Sequence, residues 1–260
     1  MRIVFVGGDA RSRIAAQRLK EEGQEVYTVS LSSSLPTIHK EDIFPLAQAV
    51  VLPTPVTRDG ETVNGTDIPL SFFLAHPAVP LFGGGLPTAF LAQHPGAHDL
   101  LLDEGLAQTG AALTAQGAIA AALTATQRGF YRTRAAIFGF GRIASFLARG
   151  LSGLGVPVAI YARRREARAR IALLGYEARD FRDVTKVEEA LVFNTVPSAV
   201  FDKTVFSPEA LVFDLGGGLK GYTAHPVTSL PGLPGKFAPA AAGEAMVEVL
   251  SAFLRKESEH

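Results

Sequence analysis

The amino-acid sequence predicts an α/β protein built from two doubly wound parallel sheets, and three observations support this prediction. Short apolar runs alternate with segments of helical periodicity, which is the pattern of a parallel sheet covered on both faces. An apolar run, a glycine turn and an amphipathic helix follow one another near the start of the chain and again after residue 134. Apolar residues make up 47% of the 260 residues and charged residues 19%, which is typical of a globular protein.

The first unit starts at the amino terminus. Arg2–Val6 is predicted as a buried strand, Gly7 and Gly8 as a turn, and Ala10–Glu22 as a helix that ends at Gly23. Later apolar runs predict strands at Glu25–Leu31, Ala49–Pro53 and Ala78–Phe82. The segments Leu31–Pro45 and Pro53–Gly65 are predicted to be surface loops.

The second unit follows an alanine-rich segment, Ala111–Gln127, which has no proline and is predicted as one long helix. The pattern then predicts, in order, strand Ala135–Phe138, helix Arg142–Leu154, strand Val156–Tyr161, helix Glu166–Leu174, a short strand near Tyr176, and strands at Ala190–Asn194, Leu211–Asp214 and near Val227–Leu230. Leu230–Gly243 is rich in proline and glycine, which favours a linker or a binding loop. The boundary between the units is expected between about Leu113 and Thr133, so that the domains span residues 1–113 and 114–240.

Composition restricts the class of partner and site. Lys plus Arg and Asp plus Glu number 25 each, so net charge gives no reason to expect nucleic acid or an anionic membrane as partner. The absence of cysteine excludes disulfides and thiolate metal sites, and the six histidines show no ligand-type pairing, so no metal is expected. No apolar run reaches the ~18 residues of a membrane span, and a cytoplasmic protein is expected.

A dinucleotide fingerprint opens the second unit. Gly139, Phe140, Gly141, Arg142, Ile143 and Ala144 form the pattern G-x-G-x-x-A between a predicted strand and a predicted helix. The first glycine permits the tight turn, the second lets the backbone approach a pyrophosphate, and the alanine lets helix and strand pack closely. The residues from Gly139 to Ile143 are therefore predicted to bind the cofactor. A tight turn without a ligand is the alternative.

The end of the next predicted strand favours NADP(H) over NAD(H). An NAD site places an acid about 20 residues after the glycines, to bind the ribose 2′-hydroxyl. Here Tyr161 and Ala162 are followed by Arg163, Arg164 and Arg165, and no acid occurs before Glu166. Guanidinium groups suit a 2′-phosphate, so Arg163 and Arg164 are predicted to bind it. The alternative is that these arginines form the solvated first turn of a helix.

Polar residues follow two more strands at the edge of the sheet where the cofactor should lie. Asn194, Thr195, Val196 and Pro197 follow one strand and are predicted to lie near the nicotinamide, unless they only form a turn. Asp214 ends the next strand and either orients a ligand or caps a turn. The candidate catalytic residues are Asn194, Asp214, Lys220 and His225, of which His225 is the one histidine considered as a base.

Five segments together resemble one enzyme family. They are "VGGDAR" from Val6 to Arg11, "GFGRIA", "YARRR", "NTVPS" and "PGLPGKFAP". In this order they resemble the A subunit of dipicolinate synthase of spore-forming bacteria, over nearly the whole chain. The resemblance implies a flavodoxin-like N-terminal domain, a Rossmann domain, and a C-terminal helix, 241–256, that returns to the first domain.

The resemblance also implies an activity and partners. The family oxidises a dihydrodipicolinate to dipicolinate (pyridine-2,6-dicarboxylate) with NADP in sporulation, and works with a flavoprotein-like B subunit. A homo-oligomer is expected as well. The chain departs from the family pattern after Asp214, where it has Gly216, Gly217 and Gly218, and at Ala240, where the family commonly has lysine.

A small dicarboxylate substrate requires cations, because an unpaired buried carboxylate is unfavourable by several kcal/mol. Arg11, Lys220 and Lys236 are predicted to bind it between the domains, although each could be an ordinary surface charge. Two alternatives stay open for the activity. One is another two-domain NADP-dependent dehydrogenase, of the 2-hydroxyacid or shikimate type, and the other is a non-catalytic NADP-binding subunit.

Overall fold

The chain forms two compact units in a computed structural model that describes residues 1–126, 128–182, 184–198, 201 and 204–258. Unit 1 comprises Met1–Thr109 and the segment that starts at Ala238, and unit 2 comprises Gly110–Phe237. The end of the helix predicted to reach Gln127, and His260 among the histidines, lie outside the described residues. None of the described helices is long and apolar enough to cross a lipid bilayer.

Unit 1 contains a five-stranded parallel sheet in the order β2-β1-β3-β4-β5, which is the flavodoxin-like order. Its strands and first helices are β1 Arg2–Val6, α1 Ala10–Glu21, β2 Glu25–Val29, α2 Ile43–Leu46, β3 Ala49–Val51, β4 Leu81–Gly83, α3 Thr88–Gln93 and β5 Ala97–Asp99, with short 3-10 helices at Lys40–Asp42, Leu70–Ala75 and Leu100–Leu102. In β1, Ile3 and Phe5 enter one apolar cluster while Val4 and Val6 enter another, so both faces of the sheet are covered.

Two parts of unit 1 differ from the sequence prediction. The segment Leu31–Pro45, predicted as a surface loop, contains a 3-10 turn and most of α2, and its Leu31 and Leu35 are buried. The strand β5 and the helix α3 were not predicted. These elements are too short to show a period. Pairing with β4 holds the strand β5, and α3 places Phe90 in a buried apolar cluster.

Unit 2 contains a six-stranded parallel sheet in the order β13-β12-β10-β6-β7-β8. Its elements, with the helix that leads into it, are α4 Glu104–Ala125, β6 Ala135–Phe138, α5 Arg142–Gly153, β7 Val158–Ala162, α6 Arg165–Leu173, β8 Glu177–Asp180, β9 Lys186–Val187, β10 Leu191–Asn194, β11 Val205–Phe206, β12 Leu211–Asp214, β13 Val227–Ser229 and α7 Leu233–Phe237. The short strands β9 and β11 pair separately. The six main strands follow the 3-2-1-4-5-6 order of the Rossmann fold.

Two helices of unit 2 differ from the prediction. The helix α4 begins at Glu104 and not at Ala111, because the Asp103 carboxylate accepts a hydrogen bond from Leu106 N (2.8 Å) and stabilises an earlier first turn. The proline- and glycine-rich segment after residue 230 contains α7 and is not only a loop. Leu233 of α7 packs against Gly117 of α4, where an added Cβ would lie 3.1 Å from its Cδ2 atom.

The final helix, α8 Pro239–Ser258, packs within unit 1. Its apolar residues Met246 and Leu250 join Leu19 of α1 in one cluster. Close approach to α1 requires Gly243, since an added Cβ there would lie 2.9 Å from the Arg11 carbonyl oxygen. The predictions of two parallel α/β sheets and of a C-terminal helix that returns to the first unit are therefore confirmed.

Candidate nucleotide site in the second unit

The strand order of unit 2 reverses between β6 and β10, which are hydrogen-bonded neighbours with Phe138 opposite Asn194. In open parallel sheets, ligands bind outside the carboxyl ends of the strands at such a switch point. The turn that starts at Gly139 and the segment that starts at Thr195 both leave the sheet here. The fold therefore places two of the predicted cofactor segments side by side.

The two glycines of the fingerprint serve different purposes. Gly139 has φ +98°, and an added Cβ would lie 2.6 Å from the Thr195 hydroxyl oxygen, so the fold itself requires glycine there. Gly141 has φ −104°, and an added Cβ would meet no atom within 4 Å. The fold does not require glycine at 141, whereas close approach by a pyrophosphate would.

Gly141 is also the N-cap residue of α5, and no side chain among the described residues caps this helix. The first turn of a helix directs backbone N–H groups outward, and the helix dipole makes this end positive. Without a capping side chain, these groups can bind an anion such as a phosphate. The local geometry of Gly139–Ile143 thus fits the pyrophosphate of a dinucleotide.

Asn194 and Asp214 lie side by side at the ends of β10 and β12 and are almost fully buried. The Asn194 amide donates to Asp214 Oδ1 (2.8 Å) and to Val196 O (2.9 Å), and its oxygen accepts from Val196 N (2.9 Å). Asp214 also accepts from the backbone N–H groups of Gly217 (2.8 Å) and Leu219 (3.0 Å). Every polar atom of both side chains thus has a partner within the protein, and the pair fixes the two loops that follow the strands.

The loop after Asp214 packs tightly on the segment after Asn194. An added Cβ at Gly216 would lie 2.6 Å from the backbone of Thr195 and Val196, so this close approach excludes any side chain. Thr195 is fixed as well, because its hydroxyl donates to Phe138 O (2.8 Å). The segment 195–197 is therefore held firmly beside the fingerprint, with Pro197 exposed.

Arg163 and Arg164 follow directly after β7, and both are exposed. Arg164 is the N-cap residue of α6 and makes no capping hydrogen bond there. The acid nearest in register is Asp180, opposite Ala162 at the end of β8.

Asp180 is already engaged by arginines. Its carboxylate binds Arg182 (2.7 Å) and lies 2.9 Å from Arg168 Nη1. Hydrogen bonds from Arg182, with the nearby charge of Arg168, hold the pKa of Asp180 well below its ordinary value. The carboxyl ends of β7 and β8 therefore present arginines to a ligand, while the Asp180 carboxylate is already paired with Arg168 and Arg182.

The helix that follows the glycine turn of unit 1 differs from α5, because a side chain caps its N-terminus. Asp9 is the N-cap residue of α1, and its carboxylate accepts from Arg11 N (3.0 Å). The Arg11 guanidinium binds the same carboxylate (2.8 Å) and donates to the carbonyl of Thr54. Burial opposes ionisation of Asp9, but the hydrogen bonds from Arg11 outweigh it and hold the pKa of Asp9 below its ordinary value. The Arg11 side chain is only 12% exposed.

The remaining predicted residues are dispersed. Lys220 and Lys236 are exposed in unit 2, in the loop after Asp214 and on α7. His225 precedes β13, and its ring bonds Ala210 O (2.8 Å) at the start of β12. Ala210 lies at the amino-terminal end of β12, whereas Asp214 lies at its carboxyl end. His225 therefore does not lie beside the carboxyl ends of the strands, where it was expected. Within the described ranges, no group of His, Asp or Glu side chains could hold a metal ion.

Two features of these sites were missed from the sequence. The capping role of Asp9 had a signal, since aspartate directly before a helix is a preferred N-cap. The contact between Arg168 and Asp180 had only a weak signal in the sequence. Arg168 stands four residues after Arg164, which is one helical turn, but its direction could not be derived from the sequence.

The relationship to known proteins agrees with this architecture. A family model for the N-terminal domain of the dipicolinate synthase A subunit matches residues 2–90. The dipicolinate synthase A subunit of Bacillus subtilis (strain 168) is 27% identical over 286 aligned positions, which cover 98% of this chain and 96% of that protein. The chain is therefore similar to a dipicolinate synthase A subunit over nearly its whole length. The resemblance inferred from its motifs is confirmed.

Solved structures of two kinds share the fold. The A chain of dipicolinate synthase from Bacillus subtilis superposes with a TM-score of 0.78 and 23% identity, over 100% of this chain and 98% of that chain. D-lactate dehydrogenase with NAD+ from Lactobacillus jensenii superposes with a TM-score of 0.53 and 13% identity, over 96% and 94%. At these identities the likeness shows the fold alone, which is shared with dehydrogenases.

Proposed function

We propose that unit 2 binds NADP(H) and that the protein is an oxidoreductase that oxidises a dihydrodipicolinate to pyridine-2,6-dicarboxylate. The observation that carries the cofactor proposal is the uncapped N-terminus of α5 beside Arg163 and Arg164. The substrate proposal rests on the similarity to a curated relative, which is the A subunit of a dipicolinate synthase.

The preference for NADP(H) over NAD(H) rests on charge. An NAD site needs a carboxylate that is able to accept hydrogen bonds from the ribose 2′-hydroxyl. Asp180, the acid at the neighbouring strand end, is instead engaged by Arg168 and Arg182. Arg163 and Arg164 are exposed, and their guanidinium groups suit the 2′-phosphate.

The chemistry requires positioning more than a strong base. Bound NADP+ supplies the hydride acceptor, and the ring loses one hydride and one proton as it becomes aromatic. The chain holds the pyrophosphate at α5 and keeps the loops after β10 and β12 rigid. Asn194 and Asp214 are therefore proposed as positioning residues that act through these loops, and His225 is not proposed as the base.

The substrate carries two carboxylates, and three cations are proposed to bind them. Arg11 is held by Asp9 and Thr54, which fixes its guanidinium while Nη1 keeps no partner among the described residues. Lys220 and Lys236 are exposed and lose more side-chain freedom on binding than Arg11 does. Among the three, Arg11 is expected to contribute most.

The name of the curated relative, which is one subunit of a synthase, supports a partner B subunit for this chain too. A role in sporulation is proposed on the same basis, and a cytoplasmic location and a homo-oligomer are proposed from the sequence analysis. Co-purification of the full chain with a B subunit tests the proposed partner, and the mass of the purified chain in solution tests the homo-oligomer.

Cofactor binding is tested by calorimetry with NADPH and NADH. Replacing both Arg163 and Arg164 by Ala is expected to weaken NADPH binding by about ten- to hundredfold for each charge-assisted hydrogen bond that is removed. NADH affinity should stay nearly unchanged. Arg149→Ala is the matched control, because it removes an exposed charge of unit 2 on α5. Equal weakening of both cofactors by the double variant would show that the arginines only cover a helix end.

The reaction is tested by the NADP-dependent formation of pyridine-2,6-dicarboxylate. The full chain should produce it, alone or with its B subunit, whereas a 2-hydroxy acid should give no NADPH. Arg11→Ala is expected to weaken product binding by about tenfold or more, and Lys220→Ala and Lys236→Ala by less. Three variants that bind the product like the parent would exclude this dicarboxylate site. NADPH binding without turnover of either substrate would favour the non-catalytic subunit.

A further inference from the structure

The side chain of Arg168 turns back from α6 toward the end of β7. Its Nη1 donates to Ala162 O (3.0 Å) and to Arg163 O (2.8 Å). The same nitrogen lies 2.9 Å from Asp180 Oδ2. The side chains of Arg168 and Asp180 are only 22% and 21% exposed, so the pair is largely shielded from water.

These contacts fix the backbone at the point where Arg163 and Arg164 leave the strand. Two successive carbonyl groups are held by one guanidinium, directly before the N-cap residue of α6. Three consecutive arginines repel one another, and their side chains have large conformational freedom. Asp180 compensates the additional charge of Arg168, so that a fourth arginine can lie beneath the loop.

We infer that Arg168, held by Asp180, is a positioning residue that sets the preference for a 2′-phosphorylated dinucleotide by fixing Arg163 and Arg164. The inference rests on the proposed NADP(H) site and deepens it. Preorganised groups bind a ligand more tightly because less entropy is lost on binding. A dinucleotide with a free 2′-hydroxyl does not use these arginines, and its pyrophosphate is bound at α5.

The first experiment replaces Arg168 by Met in the full chain and measures NADPH and NADH binding by calorimetry. NADPH affinity is expected to fall about tenfold, because the fixed position of the two arginines is lost. NADH affinity should stay within about twofold, the scatter of independent sites. Arg168→Lys keeps a charge and one donor and should restore part of the NADPH affinity. Arg149→Met is the matched control for loss of one positive charge.

A double-mutant cycle separates positioning from direct contact with the phosphate. In a chain that already carries Ala at 163 and 164, Arg168→Met should have no further effect on NADPH affinity. An additional loss of about tenfold in that background would overturn the inference, since Arg168 would then act on the phosphate by itself. A single Arg168→Met variant with the NADPH preference of the parent would also overturn it.

Asp180→Asn provides a second variant if Arg168→Met does not fold. It leaves the hydrogen-bonding shape but removes the charge that holds Arg168, and the ratio of NADPH to NADH affinity should fall. An unchanged ratio would contradict the inference. Failure of the NADP(H) proposal itself would give a different result. The parent chain would then show no preference for NADPH that depends on Arg163 and Arg164.

Discussion

The chain uses one strand–turn–helix arrangement twice, and the two copies differ at the helix N-terminus. In both, the first glycine after the strand has a positive φ and donates its N–H to the end of the neighbouring strand. Gly7 N donates to Val29 O (2.8 Å), and Gly139 N donates to Tyr161 O (2.9 Å). The backbone scaffold is therefore nearly the same in unit 1 and unit 2.

The N-cap residue distinguishes the two copies. Asp9 places a carboxylate on the first turn of α1, which occupies the position that an anion would take. Gly141 leaves the first turn of α5 open. The strand–turn–helix arrangement alone therefore does not leave the helix N-terminus open to an anion. In unit 1 the protein's own carboxylate caps the helix and holds Arg11, whereas in unit 2 the helix end stays available.

The largest effect is expected when the cap of unit 1 is transferred to unit 2. Gly141→Asp should abolish nucleotide binding, because a carboxylate would occupy the N–H groups of α5 and repel the pyrophosphate. Loss of two charge-assisted hydrogen bonds corresponds to about a hundredfold or more in affinity. The fold should be unaffected, since an added Cβ meets no neighbour and aspartate is a preferred cap. Calorimetry with NADPH and a thermal melt measure both.

Gly141→Asn is the matched control for this exchange. It introduces a capping side chain of the same shape without the charge, and about a tenfold loss of NADPH affinity is expected. Equal losses for Asp and Asn would assign the effect to obstruction alone. NADPH affinity like that of the parent in Gly141→Asp would show that the pyrophosphate does not bind at α5.

The long elements and the polar residues at the strand ends could be predicted from the sequence, for physical reasons. Runs such as Arg2–Val6 and Ala135–Phe138 are buried on both faces, so their composition alone identifies them. Of the two fingerprint glycines, Gly139 meets a backbone need that other residues meet poorly, whereas the fold does not require glycine at 141. Asn194 and Asp214 were placed correctly at strand ends. Their hydrogen bond to each other could not be predicted, because it depends on the register of β10 and β12.

What could not be predicted depends on tertiary contacts. His225 was expected near the site, but it precedes a parallel strand and therefore lies at the other edge of the sheet. The backward turn of Arg168 depends on a carboxylate from the next strand, and nothing local specifies it. Side-chain direction and strand adjacency, and not composition, decide which of these charges meet.

A smaller effect is expected when the cap of unit 1 is removed. Asp9→Ala eliminates the carboxylate that binds Arg11 N and the Arg11 guanidinium. Loss of an N-cap lowers the free energy of unfolding by about 1–2 kcal/mol. Hydrogen exchange of α1 amides in urea measures this for unit 1, and NADPH affinity serves as the control, since the second copy keeps its open helix. Unchanged exchange in α1 would show that Asp9 does not stabilise the helix.

The smallest effect concerns pH and isolates the charge of Asp9 from its capping role. Asp9→Asn keeps a good capping oxygen, so its difference from the parent reports the ion pair with Arg11. The pKa of Asp9 is lowered in the folded chain, so the stabilisation is fully present above the ordinary carboxyl range, near pH 4. It is lost as the pH falls through the lower folded value. Because the Asp9 side chain is 48% exposed, the difference should stay below about 1 kcal/mol and decrease with salt.

The exchange of α1 amides, followed from pH 7 to pH 3 in both chains, should converge at the acid end. A difference that does not depend on pH would assign the whole contribution of Asp9 to its shape.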